Sequence, residues 1–223
     1  MSHPAATLAV VLDLILPLEC GGCGAPSTPW CDPCAVALSV AIDEPHVVTP
    51  RVDPGVPVFA LGRYAGARRR AILAMKEHGR GDLAAPLARA LAVGVHRLLT
   101  WGLVEAPLTI VPAPTRRSAA RRRGGDPVTR MARLACVAVP GRPDIGVVPA
   151  LRMKALVRDS VGLGTAARER NIAGRVALRG RRPGTEVVLV DDIVTTGATA
   201  RESVRVLGAV GIPVAAVLAI AVA

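Results

Sequence analysis

Short apolar runs alternate with amphipathic stretches along most of the chain, and glycine, proline or polar turns separate them. Leu108–Val111, Ile145–Val148, Val187–Val190 and Val214–Val222 are continuously apolar or nearly so, the pattern of strands buried on both faces of a parallel sheet. Val58–Tyr64 reads as a further strand. Between these runs the apolar positions recur at helical spacing. Arg68–His78 turns Ile72, Leu73 and Met75 to a core and leaves Arg68, Arg69 and Arg70 to solvent. Asp82 is placed to cap a helix through Leu99, with Leu83, Leu87, Ala90, Leu91 and Val95 on its apolar face. Asp126 followed by Pro127 opens another, to about Val137. Thr165–Asn171 reads as a short charged helix. A last helix runs through Ala200 to about Leu207. The alternation predicts an α/β fold with a mainly parallel, doubly wound sheet. Ahead of it, Thr7–Leu16 has helical spacing and ends at Pro17. Residues 42–57 hold four prolines and little periodicity, as a linker or irregular wrap does. The expected division is a small segment over 1–50 and a main domain over 51–223.

The stretch Val187–Thr199, VVLVDDIVTTGAT, combines the parts of a ligand site. Asp191 and Asp192 are expected at the C-terminal end of the strand Val187–Val190, where open α/β sheets bind ligands. Thr195, Thr196, Gly197, Ala198 and Thr199 turn the chain into a helix, offering backbone N–H groups, three hydroxyls and a helix N-terminus to an anion. Gly197 lets the backbone approach closely or take positive φ. The loop after Leu108–Val111 carries Arg116, Arg117, Arg121, Arg122 and Arg123. It reads either as a counter-charge for a pyrophosphate, shared with Mg²⁺, or as a solvated basic loop.

Cys20, Cys23, Cys31 and Cys34 form two CxxC pairs seven residues apart. Two such knuckles suit one tetrahedral, structural Zn²⁺, because four thiolates close its shell; a redox pair or disulfides are the alternatives. Cys136 lies among helical apolar residues and reads as core.

Composition narrows the partners. Aromatic residues are only 2% of the chain, which argues against single-strand nucleic-acid binding on aromatic platforms. The net charge of +11 suits polyanionic ligands, either phosphorylated metabolites or nucleic acid, although most of the arginines read as solvated. No run reaches the ~18 apolar residues of a membrane span. Ala5–Leu16 contains Asp13 and has no Lys or Arg ahead of it, so a secretory leader is not expected. A cytoplasmic protein with reduced thiols is.

The stretch VVLVDDIVTTGAT resembles the phosphoribosyl-pyrophosphate (PRPP) signature of type I phosphoribosyltransferases. The resemblance implies Asp191 and Asp192 as ligands of the ribose hydroxyls, at the catalytic centre, and Thr195–Thr199 as the 5′-phosphate loop. Over nearly its full length the chain resembles the ComF/GntX family of phosphoribosyltransferase-like competence proteins. LDLILPLECGGCG at Leu12–Gly24 and the four cysteines resemble its zinc ribbon. LAMKEHGRGDLA at Leu73–Ala84 resembles its lysine-containing turn, which makes Lys76 a PRPP contact. VPAPTRR at Val111–Arg117 resembles its pyrophosphate loop, with Arg116 and Arg117 as contacts. Arg158–Asn171 resembles the segment before the signature strand. The implied fold is type I phosphoribosyltransferase-like with a small zinc-ribbon-like segment. The implied activity is Mg²⁺-dependent pentosyl transfer, a glycosyltransferase reaction of nucleotide metabolism. The alternatives are a non-catalytic PRPP- or nucleotide-sensing module and an accessory protein of DNA uptake, with DNA or the uptake machinery as partner. Two family features are absent: an Arg-Gly-Phe-Asn-Gln turn, replaced here by Arg123-Gly124-Gly125-Asp126-Pro127, and a Gln near position 160, where Ser160 stands. Both remove an amide that would read the acceptor, which stays unidentified.

Overall fold

Eight strands and five α-helices order the chain, over residues 18–115, 125–141, 144–154 and 172–223, which this computed structural model describes. The helix expected at 7–16, the arginines at 116–123 and the segment at 158–171 lie outside those residues. In chain order the elements are α1 (Asp32–Leu38), β1 (His46–Val47), β2 (Val58–Ala60), α2 (Gly66–Glu77), α3 (Ala84–Thr100), β3 (Leu108–Pro112), α4 (Pro127–Ala138), β4 (Ile145–Val147), β5 (Leu151–Met153), β6 (Val176–Leu178), β7 (Glu186–Val194), α5 (Ala198–Gly208) and β8 (Val214–Val222). Six strands form one sheet in the order β1-β2-β8-β7-β3-β4. Only the β1–β2 pairing is antiparallel. Strands β5 and β6 form a separate antiparallel pair.

The strand residues alternate between two cores, which is why the central strands are apolar throughout. Val188, Val190, Ile110 and Leu218 face α2, α3 and α4, where Ile72, Met75, Leu87, Leu91 and Met131 are buried. Val187, Leu189, Val111 and Val217 face α5 and the β5–β6 pair, meeting Leu207, Leu151 and Val176. With one Phe and one Tyr in the chain, leucine, valine and alanine fill both layers. The fold is therefore α/β around a mostly parallel mixed sheet. Among the described residues no helix is long and apolar enough to cross a membrane.

Four local expectations are corrected. The strand expected over Val58–Tyr64 stops at Ala60, and beyond it Arg63 makes only an isolated bridge to Val222. Asp82 caps nothing: it sits inside a 3-10 turn, Gly81–Leu83, and Arg80 binds both its oxygens, at 2.9 and 2.7 Å. Arg68 and Arg70 are not simply solvated. Arg68 is half-buried, and Arg70 donates to the carbonyl of Gly22. The proline-rich wrap contributes β1 at the sheet edge. Asp126 does cap α4, its Oδ1 accepting the Val128 N–H at 3.2 Å.

Candidate functional site

Strand β7 runs past its neighbour β3. Their register ends at Pro112 opposite Val190, whereas β7 and β8 stay paired to Val194 and Val222. Asp191 and Asp192 thus lie inside the strand rather than after it, a correction to the expected boundary. They still stand clear of β3, at the C-terminal edge of the sheet.

The two carboxylates meet different surroundings. The Asp192 side chain is 1% exposed, and Lys76 of α2 reaches it across 116 positions of sequence. Lys76 Nζ lies 2.9 Å from each Asp192 oxygen. It donates an aligned hydrogen bond to Oδ1, while Oδ2 has the ion-pair contact but no aligned donor. Burial pulls the Lys76 pKa down, but Asp192 and then Asp191 outweigh it, so the ammonium titrates above the ordinary value of 10.5. Asp191 Oδ1 accepts the Asp192 N–H at 2.8 Å. Burial, and then the Asp192 charge, push the Asp191 carboxyl well above the ordinary 3.8, against the pull of Lys76. Asp191 keeps partial solvent contact, which tempers this effect.

That difference has a measurable consequence. A carboxyl whose folded pKa is raised contributes stability that is fully present below 3.8 and is lost as pH climbs through the raised value. Charging Asp191 therefore costs stability at neutral pH. Asp191→Asn keeps the acceptor for the Asp192 N–H and removes the charge. The melting temperature at pH 8 should rise by about 2–4 °C, corresponding to about 1 kcal/mol in a domain of this size. The gain should shrink on acidification toward pH 4. A loss of melting temperature at pH 8 would contradict the assignment.

The turn that follows is held from two sides. Gly197 caps α5 at φ +85°, a left-handed conformation that suits glycine. Thr196 Oγ1 accepts the Ala198 N–H at 3.3 Å. Thr196 is buried, Thr195 is exposed and Thr199 is intermediate. The wrap lies against this turn: the Val52 N–H donates to the Thr196 carbonyl at 2.8 Å. A Cβ on Gly197 would overlap the Val52 carbonyl oxygen and Pro50. Glycine is needed there both for its φ and for this close approach.

The structure thus brings Lys76 onto Asp192 and sets both acids on the strand that leads into Thr195–Thr199. Arg116 and Arg117 lie outside the described residues. Two contributors escaped the sequence reading. One is the wrap at 50–52. The other is Tyr64, the only tyrosine of the chain, which lies near enough to bear on the Lys76 charge and has the Arg69 guanidinium 5.8 Å from its ring centre. The available signal was a lone aromatic at the end of the expected Val58–Tyr64 run.

The four cysteines form a second constellation. Their sulfurs all lie within 4.8 Å of one another, and Cys20–Cys31 and Cys23–Cys31 are each 3.5 Å apart. Sulfurs 2.3 Å from one tetrahedral Zn²⁺ stand about 3.8 Å apart, so the set fits that ion. Burial raises the Cys20 pKa, but the N–H groups of Cys31, Cys23 and Gly22 outweigh it and bring the thiol to about 6. Burial and the neighbouring thiols push Cys34 the other way. A bound cation would offset the repulsion of four converging thiolates and draw Cys34 to the charged form. A Cβ on Gly22 would overlap Cys34 Sγ, so the knuckle closes only with glycine there. Cys136 stands apart, half-buried, its thiol donating to the Ile145 carbonyl at 3.2 Å.

The knuckle is tied to the helix that carries Lys76. Arg70 of α2 donates to the Gly22 carbonyl, and Ala67 packs with Cys20 and Cys34. Arg80, just after α2, donates to the carbonyls of Glu19 and Pro29 at 2.9 and 3.2 Å. No family model matches the chain, and no curated protein matches it either.

Proposed function

We propose that the protein binds PRPP at the β7–α5 turn and passes its phosphoribosyl group to an acceptor, with a structural zinc in the cysteine knuckle. One observation carries the reading: Lys76, an expected PRPP contact, pairs with the buried Asp192 of the signature strand, beside Asp191. Carboxylates accept hydrogen bonds from a ribose diol. The N-terminus of α5 and the Thr195–Thr199 hydroxyls suit the 5′-phosphate. Lys76 offsets one of the two carboxylate charges, which lowers the repulsion that an approaching pyrophosphate meets. The four cysteines are the only cluster of three or more metal-ligating side chains among the described residues. Asp192 is already ion-paired, so an Mg²⁺ arriving with PRPP would be held mainly by the ligand and would supply counter-charge to the leaving pyrophosphate. In transfer, the bond from the anomeric carbon to pyrophosphate breaks as the acceptor's nucleophile bonds to that carbon, and pyrophosphate leaves with the electron pair.

Titration calorimetry with PRPP, with and without Mg²⁺, is the direct test. Saturable binding is expected in the wild type. Asp191→Asn with Asp192→Asn removes two charge-assisted contacts at about 1.5 kcal/mol or more each, so affinity should fall at least about 100-fold. Unchanged affinity would remove the site from these residues. Pyrophosphate release on adding an acceptor base separates catalysis from sensing.

A further inference from the structure

A cleft of about 770 Å³ opens between α4, the turn at 79–84 and the chain after β6. It adjoins the carboxylate pair without including it. Its wall reaches Met75, next to Lys76, and Pro112, the β3 partner of Val190. Much of its lining is apolar, from Met75, Pro112, Leu134, Val148 and Leu151. Its walls are basic. Arg130 and Arg133 stand one turn apart on the same face of α4. Arg179 and Arg181 come from the other side, where the Arg179 N–H donates to the Ala150 carbonyl at 2.6 Å and fixes that wall to the start of β5.

None of these four arginines makes an ion pair or a side-chain hydrogen bond among the described residues. Arg130 feels the charge of Asp82, but Arg80 already holds both Asp82 oxygens. The one carboxylate in the wall, Asp126, is occupied by the Val128 N–H and by the hydroxyls of Thr115 and Thr129, at 3.2, 3.1 and 2.6 Å. Four guanidinium groups facing one concavity repel each other and concentrate positive potential inside it. Guanidinium pairs phosphate oxygens in a bidentate fork. The volume falls within the range of small-molecule sites, roughly 300–1,000 Å³, and the apolar lining suits an organic body rather than a bare ion.

We propose that this cleft is a binding site for an organic diphosphate of nucleoside-diphosphate size, separate from the Asp191–Asp192 centre. Each wall supplies two guanidinium groups to the phosphoryl groups, and the aliphatic lining holds the organic part. The proposal goes beyond PRPP binding and does not depend on it.

The test is calorimetry of the full chain with ADP, free of divalent metal, at low and at raised salt. Saturable binding that weakens with salt is expected. Arg130→Ala/Arg133→Ala and Arg179→Ala/Arg181→Ala should each weaken it at least about tenfold. These side chains are exposed, so both variants should melt with the wild type. Asp191→Asn/Asp192→Asn should leave ADP affinity within about twofold, which keeps this result distinct from the PRPP titration. No ADP binding at millimolar concentration overturns the proposal. So does binding that survives both arginine pairs and fails in the aspartate variant. Inorganic pyrophosphate binding as tightly as ADP overturns the organic-ligand assignment, and so does binding of a single-stranded oligonucleotide alone.

Discussion

Lys76→Met destabilises the protein by about 3 kcal/mol at neutral pH, because it strands a carboxylate that has no other cation among the described residues. Asp192 is 1% exposed, and Lys76 Nζ stands 2.9 Å from both its oxygens. Removing one partner of a buried pair costs about 3–5 kcal/mol. The Lys76 side chain is 29% exposed, so water reaches the gap and the low end applies. In a domain of this size that is a fall in melting temperature of about 6–12 °C. The double variant Lys76→Met/Asp192→Leu should recover most of the loss, since it buries no charge. The raised pKa of Lys76 sets the pH window. Its contribution is fully present below 10.5 and is lost only as pH rises through the higher folded value. The deficit of Lys76→Met should therefore be nearly flat from pH 6 to 9. Urea melts of the single and double variants check this. A double variant no more stable than the single one would show that the buried charge is not the cause.

Stripping metal from the knuckle should have the larger structural effect. Residues 18–40 bury little surface of their own beyond Cys20, Cys34 and Leu38, so a bound ion would supply much of their folding free energy. Structural zinc contributes about 10–16 kcal/mol in small peptide sites. The sheet and its α3 and α4 layer contain none of the four ligands and should persist. Amide exchange after chelation should become fast across 18–40 and stay slow in β3, β7 and β8. Because Arg70, Arg80 and Ala67 couple the knuckle to α2, exchange in α2 should quicken too, and PRPP affinity should fall through Lys76. Cys34→Ser should reproduce the chelated state. Metal analysis should give one zinc per chain in the untreated protein. A protein that purifies without metal and keeps 18–40 protected would refute the zinc assignment.

The sequence by itself determined what depends on nearby residues. The short apolar runs read as strands buried on both faces, and their spacing from amphipathic helices predicted a largely parallel α/β sheet. The pair Asp191–Asp192, the Thr/Gly turn and the two CxxC knuckles were legible because each chemistry sits within a few positions of itself. The tertiary structure decided the partners. It alone put Lys76 on Asp192, 116 positions away, and continued β7 through both acids by pairing it with β8. It took Asp82 from its expected cap because Arg80 competes for both oxygens. It laid Val52 on the Gly197 turn, and it drew Arg130, Arg133, Arg179 and Arg181 from two distant stretches to one cleft. A local pattern states which side chains a segment must bury or leave exposed. It carries no information on which remote segment meets them, because that follows from how whole layers pack and close over long loops.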